Sequence, residues 1–191
     1  MTNWAPRVIF YKHFRSLWPF GWILRRETAR IVALLPTASI PDRWILDAGC
    51  GAGHSSQIIR ERFHRIVGLD RDLVMLRQAR KVTPFVTSGS LPLLPFHSRK
   101  FGLMLCVGVS EYLSDLHAVF LEFGRVGHDN ALLLLTSSPF TLFSVLRMLS
   151  GPRLFMRRKE DILSIAAAAR WQVCGLSTGL SQDVFLFQKT D

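Results

Sequence analysis

The chain has 191 residues, enough for one domain with a sizeable core, and a hydrophobic content of 49% excludes a disordered chain. Its formal net charge of +10 implies attraction to anions, whether nucleic acid, an anionic membrane face or an acidic substrate. Cys50, Cys106 and Cys174 are odd in number and widely spaced, which points to neither a disulfide framework nor a zinc site; reduced thiols in a cytoplasmic compartment are the simplest expectation. Arg7, Lys12 and Arg15 interrupt the first apolar stretch, so no secretory signal is read there. The longest charge-free stretch of note, 131–146, is too short for a bilayer span.

Residues 1–43 precede the first expected strand and form a basic, aromatic, helical segment; residues 44–191 form the main domain, with a lid-like insert around 138–159. Pro6 and Pro19 break the N-terminal segment. The spacing predicts a helix over 20–35, with Phe20, Ile23, Leu24, Ile31, Leu34 and Leu35 on one face. Arg25, Arg26 and Arg30 lie mostly opposite, and Glu27 intrudes on the apolar side. The stretch 1–35 holds six Lys or Arg against one acid, together with Trp4, Trp18 and Trp22. Two compatible readings follow: the segment packs on the sheet and covers a ligand site, or it rests on an anionic membrane surface.

The run 44–48 reads as a buried strand, followed by glycines at alternate positions, Gly49, Gly51 and Gly53, and then a helix over 55–63. Strand, glycine turn and helix make the first half of a nucleotide-binding βαβ unit. Glycines let the backbone approach a ligand, and the helix start offers unpaired N–H groups. The dinucleotide pattern G-x-G-x-x-G fails, because the sixth position from Gly49 is His54. A second strand over 66–70 ends in Asp70, where an acid can take both hydroxyls of a ribose.

Asp72 caps a helix expected to run to about residue 81, and residues 84–87 form a brief third strand. A proline-stiffened loop, Gly89-Ser90-Leu91-Pro92-Leu93-Leu94-Pro95-Phe96, leads to a fourth strand over 101–108. Asp115 caps the next helix, which buries Leu116, Val119, Phe120, Phe123 and Val126 and ends at Gly127. A fifth strand is expected over 131–136. Residues 140–149 read as a short helix apolar on nearly all sides, hence buried under something: as a lid over an acceptor pocket, in a dimer contact or in shallow membrane insertion. An Ala-rich helix over 160–170 precedes two closing strands, 171–176 and 184–188, joined as a hairpin.

Asp47-Ala48-Gly49-Cys50-Gly51-Ala52-Gly53, with Asp70 one strand on, resembles the first motifs of the class I S-adenosylmethionine-dependent methyltransferases. The resemblance covers about residues 44–189. It implies an α/β fold: a Rossmann-like, doubly wound, mostly parallel seven-stranded sheet with an antiparallel last strand. It also implies S-adenosyl-L-methionine as cofactor, bound by Asp47, Gly49, Cys50, Gly51, Gly53, Asp70, Arg71, Ser90, Leu91 and Val107. Asp47 would stand near the amino group and sulfonium, Asp70 at the ribose, Ser90 and Leu91 at the adenine, and Val107 beside the methionine arm. The chain departs from the family's pattern at Ser90 and Gly102, where carboxylates are usual, and at Tyr112, where relatives often carry His.

By the same resemblance the chemistry is in-line methyl transfer, which needs positioning more than it needs a metal. Where the acceptor requires a base, Glu111 and Tyr112 are the nearest candidates, with His97 and His117 behind them. No Asn/Asp-Pro-Pro-Tyr/Phe sequence follows the fourth strand, which argues against amino-group methylation of adenine or glutamine. The apolar excess favours a small lipophilic acceptor such as a quinone, isoprenoid or lipid. An RNA methyltransferase stays open because of the basic charge, and a non-catalytic cofactor-binding or membrane-associated protein because of Ser90 and Gly102. The expected location is cytoplasmic, with peripheral contact at the inner membrane face as a companion reading.

Overall fold

The structure is a computed structural model that describes residues 20–36, 43–139, 154–179 and 181–190. The chain before residue 20, the helix expected over 140–149 and most of the 138–159 insert lie outside the described residues.

In chain order the elements are α1 (Phe20–Leu34), β1 (Trp44–Ala48), α2 (His54–Ile59), β2 (Ile66–Asp70), α3 (Leu73–Ala79), β3 (Phe85–Ser88) and β4 (Phe101–Cys106). A single 3-10 turn, Ser110–Tyr112, follows, and then α4 (Leu116–Val126), β5 (Gly127–Ser137), α5 (Lys159–Ala168), β6 (Trp171–Ser177) and β7 (Asp183–Lys189). The strands form one seven-stranded sheet in the order β3-β2-β1-β4-β5-β7-β6. Pairing is parallel from β3 through β5, and β7 runs antiparallel to both β5 and β6. The expected doubly wound α/β sheet with an antiparallel last strand is therefore the observed fold.

Helices cover both faces, so β4 is buried at every position and reads as an unbroken apolar run. Alternate residues feed two cores, as the two-residue period of a strand requires. Leu46, Ala48, Met104 and Cys106 face α4 and α5, where they meet Phe120, Phe123, Ile162 and Ala166. Ile45, Leu103, Leu105 and Leu134 face the other way and meet Ile31 and Leu35 of the α1 segment and Ile59 of α2. Buried Trp171 joins the first core, its indole N–H donating to the Phe120 carbonyl at 3.0 Å.

Capping residues act where the sequence places them. Asp72 accepts from the Val74 and Met75 amides, and Asp115 accepts from the Ala118 amide. Two element boundaries differ from expectation by more than two residues. The helix α2 stops at Ile59, and Phe63 reaches the core from a turn whose amide still bonds the Ile59 carbonyl. The strand β5 starts at Gly127 because that residue both closes α4 and pairs with Phe101; the register then slips before Leu132 meets Leu103. Asn130, with φ 59°, takes up the irregularity.

Candidate functional site

Strand order reverses between β1 and β4, and a cavity of about 630 Å³ opens at the carboxyl ends of the strands there. Its floor is the glycine turn. The amides of Gly49 and Cys50 both donate to the Leu69 carbonyl, at 2.7 and 2.9 Å, which lays the turn across the end of β2. The Gly51 amide donates to Asp70 Oδ2 at 2.8 Å, and the Asp72 amide to Asp70 Oδ1 at 2.9 Å.

Two glycines in the turn are required, for different reasons. Gly49 has φ 73°, and a Cβ there would stand 2.5 Å from a Val109 methyl. Gly51 has φ 53°, lines the cavity, and a Cβ there would meet nothing within 4 Å. Backbone approach at Gly49 and open space at Gly51, with the Asp70 carboxylate alongside, form a cradle that fits an adenosyl amino-acid cofactor.

Of the residues expected at the cofactor, Gly49, Cys50, Gly51, Asp70, Arg71, Ser90, Leu91 and Val107 line this cavity. Asp47 and Gly53 do not. Gly53 packs against Ala79 of α3. Asp47 is 1% exposed and accepts from the Ser56 amide at 2.9 Å and from the Ser56 hydroxyl at 2.6 Å. Burial lifts its carboxyl from 3.8 to about 6, against the pull of the two Ser56 bonds and with a smaller push from Asp70. The side chain thus faces α2 from behind the cavity wall. Burial likewise pushes the Cys50 and Cys106 thiols well above their ordinary range, so neither is a thiolate at neutral pH.

The two base candidates separate in the same way. Tyr112 lines the cavity. Glu111 is buried behind it, with the Ser138 hydroxyl donating to its Oε1 at 3.1 Å. His97 and His117 are exposed and lie off the cavity lining. The turn carrying Tyr112 is held by Arg157, whose half-buried guanidinium donates to the carbonyls of Ser110, Leu113, Ser114 and Phe155. The Phe155 amide donates back to the Glu111 carbonyl at 2.7 Å.

Several wall residues have no place in the motifs. Glu27, Thr28 and Ile31 come from α1, Gln57 from α2, and Gln182 from the residue just ahead of β7. One of these left a signal in the sequence, since Glu27 interrupts the apolar face of its helix. Gln182 left none. Among the described residues, no grouping of His, Cys, Asp and Glu could hold a metal ion. No helix of the described residues is long and apolar enough to cross a membrane.

Residues 46–135 match the family model described as a methyltransferase domain. A malonyl-[acyl-carrier protein] O-methyltransferase from Hamiltonella defensa is 31% identical over 103 residues, covering 53% of this chain and 40% of that protein. A trans-aconitate 2-methyltransferase from an Acidovorax species is 38% identical over 89 residues, covering 45% of this chain and 30% of that protein. The chain thus matches less than half the length of these curated relatives. Among solved structures, a Thermotoga maritima SAM-dependent methyltransferase, possible histamine N-methyltransferase, shares the fold with a TM-score of 0.78 at 16% identity, covering 98% of each chain. Glycine turn, the aspartate that closes β2, strand order and matched domain agree: residues 46–135 form a methyltransferase domain of the class I S-adenosylmethionine-dependent kind.

Proposed function

We propose that this protein transfers a methyl group from S-adenosylmethionine to a small-molecule acceptor of lipophilic character, bound beside Tyr112. The observation that carries the reading is the Gly51–Asp70 hydrogen bond at the wall of one cavity, which brings turn and acid to a common ligand space. The cofactor supplies a methyl group already activated on sulfur. The protein's share is then orientation and exclusion of water. Asp70 offers carboxylate oxygens to ribose hydroxyls, and the open face of Gly51 admits the adenosyl portion close to the backbone. Val107 and Gly108 follow β4 into the cavity, with the Gly108 amide tied to Thr136 Oγ1 at 2.8 Å. Ile31, Met75, Val109 and Leu113 give the walls their apolar character. The Tyr112 phenol is the group to orient a hydroxyl, amine or carboxyl acceptor and to exchange its proton.

An acidic acceptor is the second reading. The relatives named for malonyl-[acyl-carrier protein] and trans-aconitate act on anionic compounds, and the net charge of +10 attracts anions. Incubation with cofactor labelled in the methyl group, against a membrane lipid extract, soluble organic acids and total RNA, separates the readings. Label in the lipid extract supports the lipophilic acceptor, and label in the acids moves the assignment to the second reading. Label in RNA overturns both. No turnover, together with no calorimetric binding of S-adenosylmethionine or S-adenosylhomocysteine, overturns the enzyme assignment.

Peripheral contact with an anionic membrane face is supported by α1. Trp22 is 42% exposed, the Arg26 guanidinium lies 4.4 Å from its ring centroid, and Arg25 is exposed beside them. Sedimentation with anionic liposomes at low salt tests this, and protein left in the supernatant overturns it.

A further inference from the structure

The positive charge of this chain gathers at one end of the sheet. Strands β1 to β5 all begin at that end, and so does β6, because β5 and β6 both run antiparallel to β7. The cavity opens at the other end. A cation stands immediately ahead of four strands: Arg43 before β1, Arg65 before β2, Lys100 before β4 and Arg170 before β6. Arg80 and Lys81 lie between α3 and β3. Arg43 is half-buried, and the other five are exposed. Among the described acids at this end, Asp129 is paired with Arg99, and Glu61 follows Arg60 and precedes Arg62.

Helix termini account for part of this. Helices α2, α3, α4 and α5 each end where the next strand begins, and a helix carboxyl terminus carries about half a negative charge. Four of them balance about two cations. The rest is a solvent-facing excess that attracts a polyanion. The cavity end mixes its signs: Arg25, Arg26 and Arg71 stand there with Asp70, Asp72 and Asp115.

The shape of the face favours one kind of polyanion. Six strand spacings, roughly 29 Å, separate β3 from β6. Neighbouring strands rotate by roughly 20–25°, so the seven strand ends trace a curve rather than a plane. A flat bilayer meets only part of such a curve, whereas a flexible chain of phosphates follows it. An aromatic ring stands at the β3 end of the row. Phe85, the first residue of β3, is 49% exposed and is held edge-on by Trp44, the first residue of β1, with ring centroids 5.0 Å apart. An exposed ring beside cations is the pairing that holds single-stranded nucleic acid, through base stacking and phosphate contacts.

We infer that the amino-end face of the sheet docks a single strand of nucleic acid, its phosphates on Arg65, Arg80, Lys81, Lys100 and Arg170 and one base stacked on Phe85. The strand is docked there and not methylated, because the length of β4, roughly 20 Å, separates this face from the cavity. The inference stands apart from the cofactor and acceptor readings above.

Fluorescence anisotropy on the full chain tests it, with labelled oligouridylate and oligothymidylate about twelve nucleotides long. Either should bind at low salt, with the logarithm of the binding constant falling against log salt at a slope of about −3 to −4, and the tighter one names the source. Arg80→Gln, Lys81→Gln and Lys100→Gln combined should weaken binding about tenfold or more and reduce the slope by about 2. Arg25→Gln, Arg26→Gln and Lys159→Gln combined remove the same charge from the cavity end and should leave binding within about twofold. Phe85→Ser should weaken binding about fivefold or more with the slope unchanged. Thermal unfolding checks each variant, and the slope of the unmodified protein stands as a measurement that needs no variant. Absence of oligonucleotide binding at low salt, equal losses in the two triple variants, or no effect of Phe85→Ser overturns the inference. Binding of polyglutamate or phosphatidylserine vesicles without binding of either oligonucleotide assigns the face to another partner and overturns it as well.

Discussion

The Gly51 amide and the Asp70 carboxylate, nineteen residues apart in sequence, meet at 2.8 Å at the edge of the cavity. One carboxylate therefore does two things: it ties the glycine turn to the end of β2 and offers an acid to the ligand space. Asp70→Ala removes both. Loss of charge-assisted hydrogen bonds of this kind is worth about 1.5–3 kcal/mol, so affinity for S-adenosylhomocysteine should fall about tenfold or more. Calorimetry measures it, and an unchanged affinity contradicts the ribose role.

Gly49 and Gly51 should fail differently when given a side chain. Gly49→Ala forces φ 73° on alanine and drives its Cβ to 2.5 Å from Val109. The expected cost is about 2–3 kcal/mol, a fall in melting temperature of roughly 4–12 °C. Adding Val109→Ala should return the steric part and leave the backbone part. Gly51→Ala meets no neighbour within 4 Å, so its stability cost should be nearer 1 kcal/mol. Its new methyl stands in the ligand space, and binding should suffer more than folding. Paired melting curves and binding isotherms of the two variants decide this.

Asp47 makes stability depend on pH with an unusual sign. Its carboxyl is raised from 3.8 to about 6. Between those values the folded chain binds a proton that the unfolded chain has released, so stability falls as pH rises. The stabilisation is fully present below pH 3.8 and lost above about 6. Asp47→Asn keeps an acceptor for Ser56 and does not titrate. The unfolding free energy of the natural protein relative to this variant should drop by about 2.4 kcal/mol between pH 4 and pH 7. Urea unfolding across that range measures the difference, and parallel profiles would contradict the buried, protonated acid.

Arg157 should control the order of the turn that carries Tyr112. Its guanidinium donates to four carbonyls, three of them in residues 110–114. Arg157→Ala leaves those carbonyls without their charged donor, at about 1.5–3 kcal/mol for the set that becomes buried and unpaired. The amides of Tyr112, Leu113 and Phe155 should then exchange about ten- to a hundredfold faster, while those of β4 stay protected. Lysine at this position cannot reproduce the fork and should resemble alanine more than arginine.

The sheet was legible in the chain because its central strands are short apolar runs bounded by Gly, Pro and Asp, and the turn because three glycines alternate directly after one of them. Side-chain direction was less legible. Asp47 follows the two-residue period of β1 and so shares a face with Ile45, the face covered by α1 and α2; a motif that names the residue does not name the face. Glu111 and Tyr112 are neighbours on a 3-10 turn and point about 120° apart, which sends one inward and the other to the cavity. The place of Gln182 in the cavity wall left no mark in the sequence, because a polar residue just ahead of a strand does not show which way its side chain turns.

The insertion of β7 between β5 and β6 has a consequence for how the protein is made. Glu27 and its partner Ser181 are separated by 154 positions, and the helix bearing one rests on the strand that follows the other. During synthesis, β1, β2 and the glycine bend can assemble while α1 has only part of the surface it lies on, since Val184 of β7 completes it. A nascent chain stopped short of β7 would own the glycine-turn end of the pocket and lack the wall that Gln182 supplies. Ligand affinity should therefore arrive late in translation, in one step, when the final strand slots home.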